Sequence, residues 1–122
     1  MEDTARNRET VLAIAELLEE HKGVDTIVLD ISKTSSWADY LIISTVHSST
    51  HAAGLMKFLY GFFKDNGIEP INVHKNVEIS GWLLVDCGDF VINLMEKDKR
   101  NFYELEKLWF KGKVIYQSSK SS

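Results

Sequence analysis

The feature that most constrains this chain is a change of hydrophobic period at Ser48-Ser49. Before it, DYLIISTV (Asp39–Val46) is short, apolar and rich in β-branched residues, the composition of a strand. After it, Ala52, Leu55, Met56, Leu59, Phe62 and Phe63 recur at helical spacing and form one stripe. Ser48 or Ser49 can cap that helix, and Asn66-Gly67 ends it with residues suited to a left-handed conformation. A strand that feeds directly into a helix is the signature of an α/β fold.

The remaining segments agree. Val11, Ile14, Ala15 and Leu18 predict a first helix over Thr4–Glu20, with Gly23 as its stop. TIVLDI (Thr26–Ile31) reads as a strand and EPINVHK as a weaker one. GWLLVD and FVINLM flank Cys87-Gly88 and predict a tight hairpin. A closing helix begins around Asp98 and contains RNFYELEKLW (Arg100–Trp109). Interleaved helices and strands predict a single α/β domain with a mixed sheet of about five strands and flanking helices. Whether Val114–Tyr116 adds an edge strand is open. The domain is expected over residues 1–116, and QSSKSS (residues 117–122) reads as a disordered tail.

Composition narrows the function. A chain of 122 residues fits one domain with a core that needs no staple. Cys87 is its one cysteine, so no intrachain disulfide forms, and a reducing cytoplasm is compatible. No apolar run approaches the roughly 18–20 residues that span a bilayer, so no membrane association is expected. MEDTARNRET has no apolar core of a secretory signal. The formal net charge is −4, and the basic residues are scattered. Phosphate recognition needs clustered Lys and Arg, so if the chain works on a nucleic-acid machine, a basic protein there is its expected partner, without direct nucleic-acid specificity.

The stretch RNFYELEKLW carries more aromatics than a short core helix requires. On a helical wheel of about 100° per residue, Phe102, Leu105 and Trp109 share an arc with Leu108 at its edge, the expected core face. Tyr103 lies about a quarter turn away, on the flank of Arg100, Glu106 and Lys107. A ring with one polar tip suits a half-buried interface position, although single exposed aromatics are common. In GWLLVD, alternation puts Trp82, Leu84 and Asp86 on one face and Leu83 and Val85 on the other. If the hairpin packs beside the last helix, Trp82 and Tyr103 form one aromatic patch flanked by acids, and these residue types often carry interface energy.

Catalytic readings are weaker. A nucleotidyltransferase needs a Gly-Ser phosphate loop and paired carboxylates on Mg²⁺, and the chain has no Gly-Ser pair and no Asp-x-Asp. Glu96-Lys97-Asp98 has the spacing but sits where a helix begins, which capping and the helix dipole explain. His47 and His51 are four apart, yet Ser48 stands where a metalloprotease has Glu, so a polar helix start is favoured. Cys87 lies in a predicted turn with no evident His and Asp/Asn partners. Asp30 and Asp39 could face one another across adjacent strands. No cofactor is expected.

SSWADYLIIST, GWLLVDCGDFVINLM and RNFYELEKLW, in that order and spacing, resemble the ribosomal silencing factor family, also called iojap-like. The matching positions are Ala38-Asp39, Ser48-Ser49, Trp82 to Asp86, Gly88-Asp89, and Arg100, Phe102, Tyr103, Leu105, Glu106, Leu108 and Trp109. The resemblance covers roughly Glu9 to Trp109 and implies a core like a minimal nucleotidyltransferase, without an enzyme's activity. It implies a cytoplasmic translation repressor that binds ribosomal protein fourteen of the large ribosomal subunit and sterically blocks subunit joining. It also implies that Trp82 and Tyr103 touch the partner, and that a homodimer can form. The expected partner-binding set is Trp82, Leu83, Asp86, Arg100, Tyr103 and Glu106. The chain departs from the family at His74-Lys75, at Asn93, where a histidine is usual, and at Val46, where a glycine is usual. The competing reading is an α/β adaptor for a non-ribosomal partner.

Overall fold

The computed structural model describes residues 2–75, 81–104, 107 and 112–118. Among these, the elements in chain order are α1 (Glu2–Glu20), β1 (Val24–Asp30), β2 (Tyr40–Val46), α2 (Ser49–Asn66), β3 (Asn72–Lys75), β4 (Trp82–Asp86), β5 (Phe90–Glu96), α3 (Lys97–Tyr103) and β6 (Lys113–Gln117). The strands form one mixed sheet in the order β3-β4-β5-β2-β1-β6. The expected α/β class holds, with six strands rather than about five. The sixth is the segment around Val114–Tyr116, which pairs antiparallel with β1 from Ile27–Gln117 to Asp30–Lys113. Gln117 therefore belongs to the sheet, and Ser118, just past it, both donates to the Thr26 carbonyl and accepts from the Thr26 N–H (2.9 Å each). Residues 119–122 lie outside the described residues.

The centre of the sheet is the pairing of β2 with β5, parallel and in unbroken register from Tyr40–Phe90 to Val46–Glu96. Every residue of β2 is buried, which is why its sequence shows no polar alternation. Asp39 and Tyr40 both donate their N–H to the Asp89 carbonyl, which pins the start of the pair (2.8 and 3.3 Å). On one face, Val11, Ile14, Ala15 and Leu18 of α1 and Leu55, Leu59 and Phe63 of α2 meet Val28, Ile42, Val85 and Ile92 of the sheet. On the other face, Ile27, Leu29, Leu41, Ile43, Val91 and Met95 form a second buried cluster, with Trp82 and Leu84 packed against it.

The helix ends follow local chemistry. Ser48 is the N-cap of α2, extended at φ −168°, and its hydroxyl accepts from the His51 N–H (3.1 Å). Gly67 closes α2 at φ 67°, followed by the Ile68 N–H bonding the Phe63 carbonyl (2.9 Å). At the end of α1 the left-handed residue is Lys22 (φ 77°) and not Gly23. Gly23 is needed for space, since a Cβ there would lie 2.6 Å from Ser44 Oγ and 2.8 Å from the Leu18 carbonyl oxygen. Among the described residues, no helix is long and apolar enough to cross a membrane.

Asp30 stands opposite Tyr40, not Asp39, so the proposed carboxylate pair across adjacent strands is not formed. Burial raises the Asp30 pKa, but the Ser32 hydroxyl and N–H, with Arg8 and Lys113 nearby, outweigh it and hold it below the ordinary carboxylate value. The register explains the difference: the Asp39 carbonyl accepts from the Ile31 N–H (2.8 Å), which sets residue 39 against residue 31 and not against Asp30.

Two substitutions in α2 separate packing from propensity. Leu59 is fully buried, so Leu59→Ala is expected to cost about 2–5 kcal/mol. A Cβ at Gly54 meets nothing within 4 Å, so Gly54→Ala is expected to stabilise by about 0.5–1 kcal/mol through helix propensity. Urea denaturation of both variants, with unchanged slopes, checks the pair.

Candidate partner-binding site

The β4–β5 hairpin is open at the end where β5 runs into α3. The Glu96 N–H donates to the Gly81 carbonyl (2.8 Å), extending the pairing to the residue before Trp82. Gly81 takes φ 71° and lies directly beneath Lys99, since a Cβ on it would fall 2.7 Å from Lys99 Cγ. A left-handed residue under a neighbouring side chain favours glycine. Arg100, a turn into α3, donates from Nη1 to the Asp25 carbonyl (2.6 Å) and to Thr45 Oγ1 (2.9 Å). The guanidinium thus ties α3 to the ends of β1 and β2. Glu96 occupies the N-cap position without a side-chain cap bond, so of the two expected explanations for Glu96-Lys97-Asp98 the dipole one remains, through Asp98 in the first turn. Beside this junction lies a groove of about 410 Å³ lined by Val24, Thr45, Val46, His47 and Glu96 to Asp98.

Trp82 stands at the foot of this junction, half-buried on the sheet face opposite α1 and α2. Its indole N–H donates to Asn93 Oδ1 (2.9 Å), and Asn93 Nδ2 donates to the Ile42 carbonyl (3.3 Å). The predicted alternation of β4 is observed: Leu83 and Val85 are buried, and Trp82, Leu84 and Asp86 are half-buried on the other side.

That alternation corrects one candidate. Leu83 is 3% exposed and packs in the core under α1 and α2, so it cannot touch a partner with its side chain. It belongs to the face that Trp82 avoids. Asp86 shares the face of Trp82 but sits four residues along the strand, about 13 Å away at the ordinary rise. There it accepts from the Gly88 N–H (2.8 Å) and shapes the hairpin turn, in which Gly88 takes φ 88°. The structure therefore brings Trp82 and Arg100 to one end of the sheet and leaves Asp86 at the other. Tyr103 is the last residue of α3. Its side chain lies outside the described residues, as do Glu106, Leu105, Leu108 and Trp109.

The closing helix is shorter than expected. It stops at Tyr103 because Glu104 turns left-handed (φ 51°), its N–H bonding the Arg100 carbonyl (2.9 Å). The wheel that placed Phe102 in the core assumed one continuous helix to Trp109. With that helix interrupted, Phe102 is 77% exposed. Beyond the break, the Lys107 N–H reaches the Glu104 carbonyl (2.9 Å) and its ammonium pairs with the Glu104 carboxylate at the surface (3.0 Å).

The other polar candidates serve the fold. His51 Nδ1 accepts from the His47 N–H (3.0 Å), which puts the ring proton on Nε2, facing the His21 carbonyl (2.9 Å). Both ring nitrogens are thus engaged at the start of α2, as the polar reading of His47 and His51 expects. Among the described residues, no three His, Cys, Asp or Glu are grouped to hold a metal ion. Burial, with the Asp86 charge adding to it, pushes the Cys87 thiol up to about 12. Two residues of this end were not among the sequence's candidates for the site, although Asn93 was noted as a departure from the family. Lys99 carries no local signal, whereas Asn93, the single polar residue inside FVINLM, does.

The chain and its fold have known relatives. Over residues 4–122 the chain matches the family described as Ribosomal silencing factor during starvation. It is 31% identical over 104 residues to the ribosomal silencing factor RsfS of Bacillus subtilis, covering 84% of this chain and 87% of that protein. RsfS of Chromobacterium violaceum is 34% identical over 94 residues, 77% of this chain and 76% of that protein. A mouse protein named mitochondrial assembly of ribosomal large subunit protein 1 is 30% identical over 98 residues, which are 79% of this chain and 43% of that longer protein. A crystal structure of a Chromobacterium violaceum protein superimposes with a TM-score of 0.77 at 29% identity, covering 94% of this chain and 89% of that one. By sequence and by fold, the chain belongs to the ribosomal silencing factor family.

Proposed function

We propose that this chain represses translation by binding the large ribosomal subunit at its ribosomal protein fourteen and sterically blocking the small subunit, in the cytoplasm and without turnover of its own. The observation that carries the reading is Trp82: a half-buried tryptophan at the junction of β4 and α3, on the sheet face that α1 and α2 leave alone. Tyr103 ends α3 and Glu106 follows it, so the family's aromatic contact and an acidic neighbour belong to the same chain segment. The name of the mouse relative speaks of the large subunit, which supports the choice of partner. The net charge of −4 suits a basic ribosomal protein, with charge complementarity guiding the encounter. Arg100 contributes to the site chiefly by holding α3 in place, and Asp86 by shaping the far turn.

Three measurements check this reading. Large subunits preincubated with the protein are expected to show less association with small subunits by light scattering, and unchanged association at saturating protein would sink the proposal. Trp82→Ala and Tyr103→Ala are each expected to weaken large-subunit binding by roughly 2 kcal/mol or more, as interface anchors do, read by co-sedimentation. Affinity should fall only shallowly with salt, because a basic protein surface and not a row of phosphates is recognised. Tight binding to bare ribosomal RNA that collapses between low and moderate salt would contradict it.

The reading without turnover has its own check at the one cysteine. With its thiol pushed up to about 12, Cys87 is thiolate only to about one part in ten thousand at pH 8. Iodoacetamide should therefore alkylate the native protein at least a hundredfold more slowly than free cysteine at pH 8, and at the free rate in denaturant. Fast native alkylation would reopen a nucleophilic role.

A further inference from the structure

Asn93 is an anomaly in β5. It is 1% exposed and lies between Val91 and Met95 on the same sheet face, both buried apolar residues. A buried amide is costly unless its polar atoms are satisfied. Here its two neighbours leave one way to orient it. An indole N–H can only donate, so it faces the amide oxygen, and the Ile42 carbonyl can only accept, so it faces the amide nitrogen. Across the hairpin, Asn93 pairs with Leu84, and Trp82 pairs with Met95. The indole therefore leans diagonally back along the face to reach the amide, a span that large side chains cover.

This bridge does two things to Trp82. It restrains rotation of the indole by a bond to a residue buried in the central strands. It also spends the ring's one polar atom inward, so that the exposed remainder of Trp82 is carbon. We infer that Asn93 is a positioning residue for the partner-binding site, presenting Trp82 as a pre-set apolar ring that recognises its partner without an indole hydrogen bond. The inference rests on the proposed role of Trp82 at the ribosomal surface. Holding a contact side chain in its bound rotamer removes part of the ordering cost of association, an effect of about three- to tenfold in affinity.

The test uses the full chain with 15N-labelled tryptophan and purified large subunits. Asn93→Leu removes both bonds while keeping the branching at Cγ, and Asn93→Ala is the second variant should leucine fail to fold. Asn93→His can restore both bonds, because a neutral imidazole has one acceptor and one donor nitrogen. In the folded variant, solvent exchange of the Trp82 indole N–H, assigned through Trp82→Phe, is expected to speed up at least tenfold. Large-subunit affinity is expected to fall three- to tenfold, and Asn93→His should recover both. In a Trp82→Ala background, Asn93→Leu should cost no further affinity, and Trp82→Phe should bind much better than Trp82→Ala. Full affinity in Asn93→Leu despite fast exchange would overturn the inference, as would an affinity loss that persists without Trp82. Should the parent protein fail to bind large subunits, the functional reading falls by itself. The exchange measurement then still decides whether Asn93 holds the indole: unchanged exchange overturns the inference, and faster exchange in Asn93→Leu upholds the positioning.

Discussion

The parallel pairing of β2 and β5 is the interaction on which the rest of the molecule depends. Parallel neighbours cannot be joined by a tight turn, so the chain between them must cross over, here through α2 and the β3–β4 ribbon. That crossover lays α2 on one face beside α1 and builds the core. It also places the carboxyl ends of β2 and β5 side by side, at Val46 and Glu96. From that point β2 enters α2 and β5 enters α3, so the two strands diverge into different helices. The junction that carries Arg100, Lys99 and Trp82 exists because of this divergence, and crevices at such strand ends are where α/β sheets most often place their sites.

Around that junction the polar groups act as ties. Arg100 holds α3 to a backbone carbonyl of β1 and a hydroxyl of β2, positions 75 and 55 residues away in sequence. Asn93 links β4 to β2 through β5, joining three adjacent strands with one side chain. The buried Thr26 and Ser44 hydroxyls meet at 2.7 Å between β1 and β2. Each tie is satisfied at both ends, which is the condition under which a buried polar group specifies a structure instead of weakening it. His51 does the same for the start of α2, joining the His47 N–H to the His21 carbonyl just past α1.

The functional reading follows from family and geometry together. Membership in the ribosomal silencing factors narrows the class of function, while the fold decides which residues can meet a partner. Burial takes Leu83 out of the contact set, and the length of β4 separates Asp86 from Trp82. What remains at one end is a compact unit, with an aromatic ring, a short helix and a half-buried guanidinium, on a chain of net negative charge.

Much of this was legible in the sequence, because it depends on neighbours in the chain. The strand-to-helix switch at Ser48, the left-handed stop at Gly67, the alternation of β4 and the stripe of α2 are all local patterns, and all are observed. The family motifs were legible for the same reason. Tertiary structure alone decided the rest. Val114–Tyr116 becomes a strand because β1 offers it an open edge, something no window of sequence contains. The closing helix breaks at Glu104 although its apolar spacing continues, so Phe102 faces outward. Asn93 looked like one polar residue in an apolar run, and only the diagonal across β4 and β5 showed which indole and which carbonyl it joins. Local preference determines what each segment becomes; pairing between distant segments decides which side chains meet.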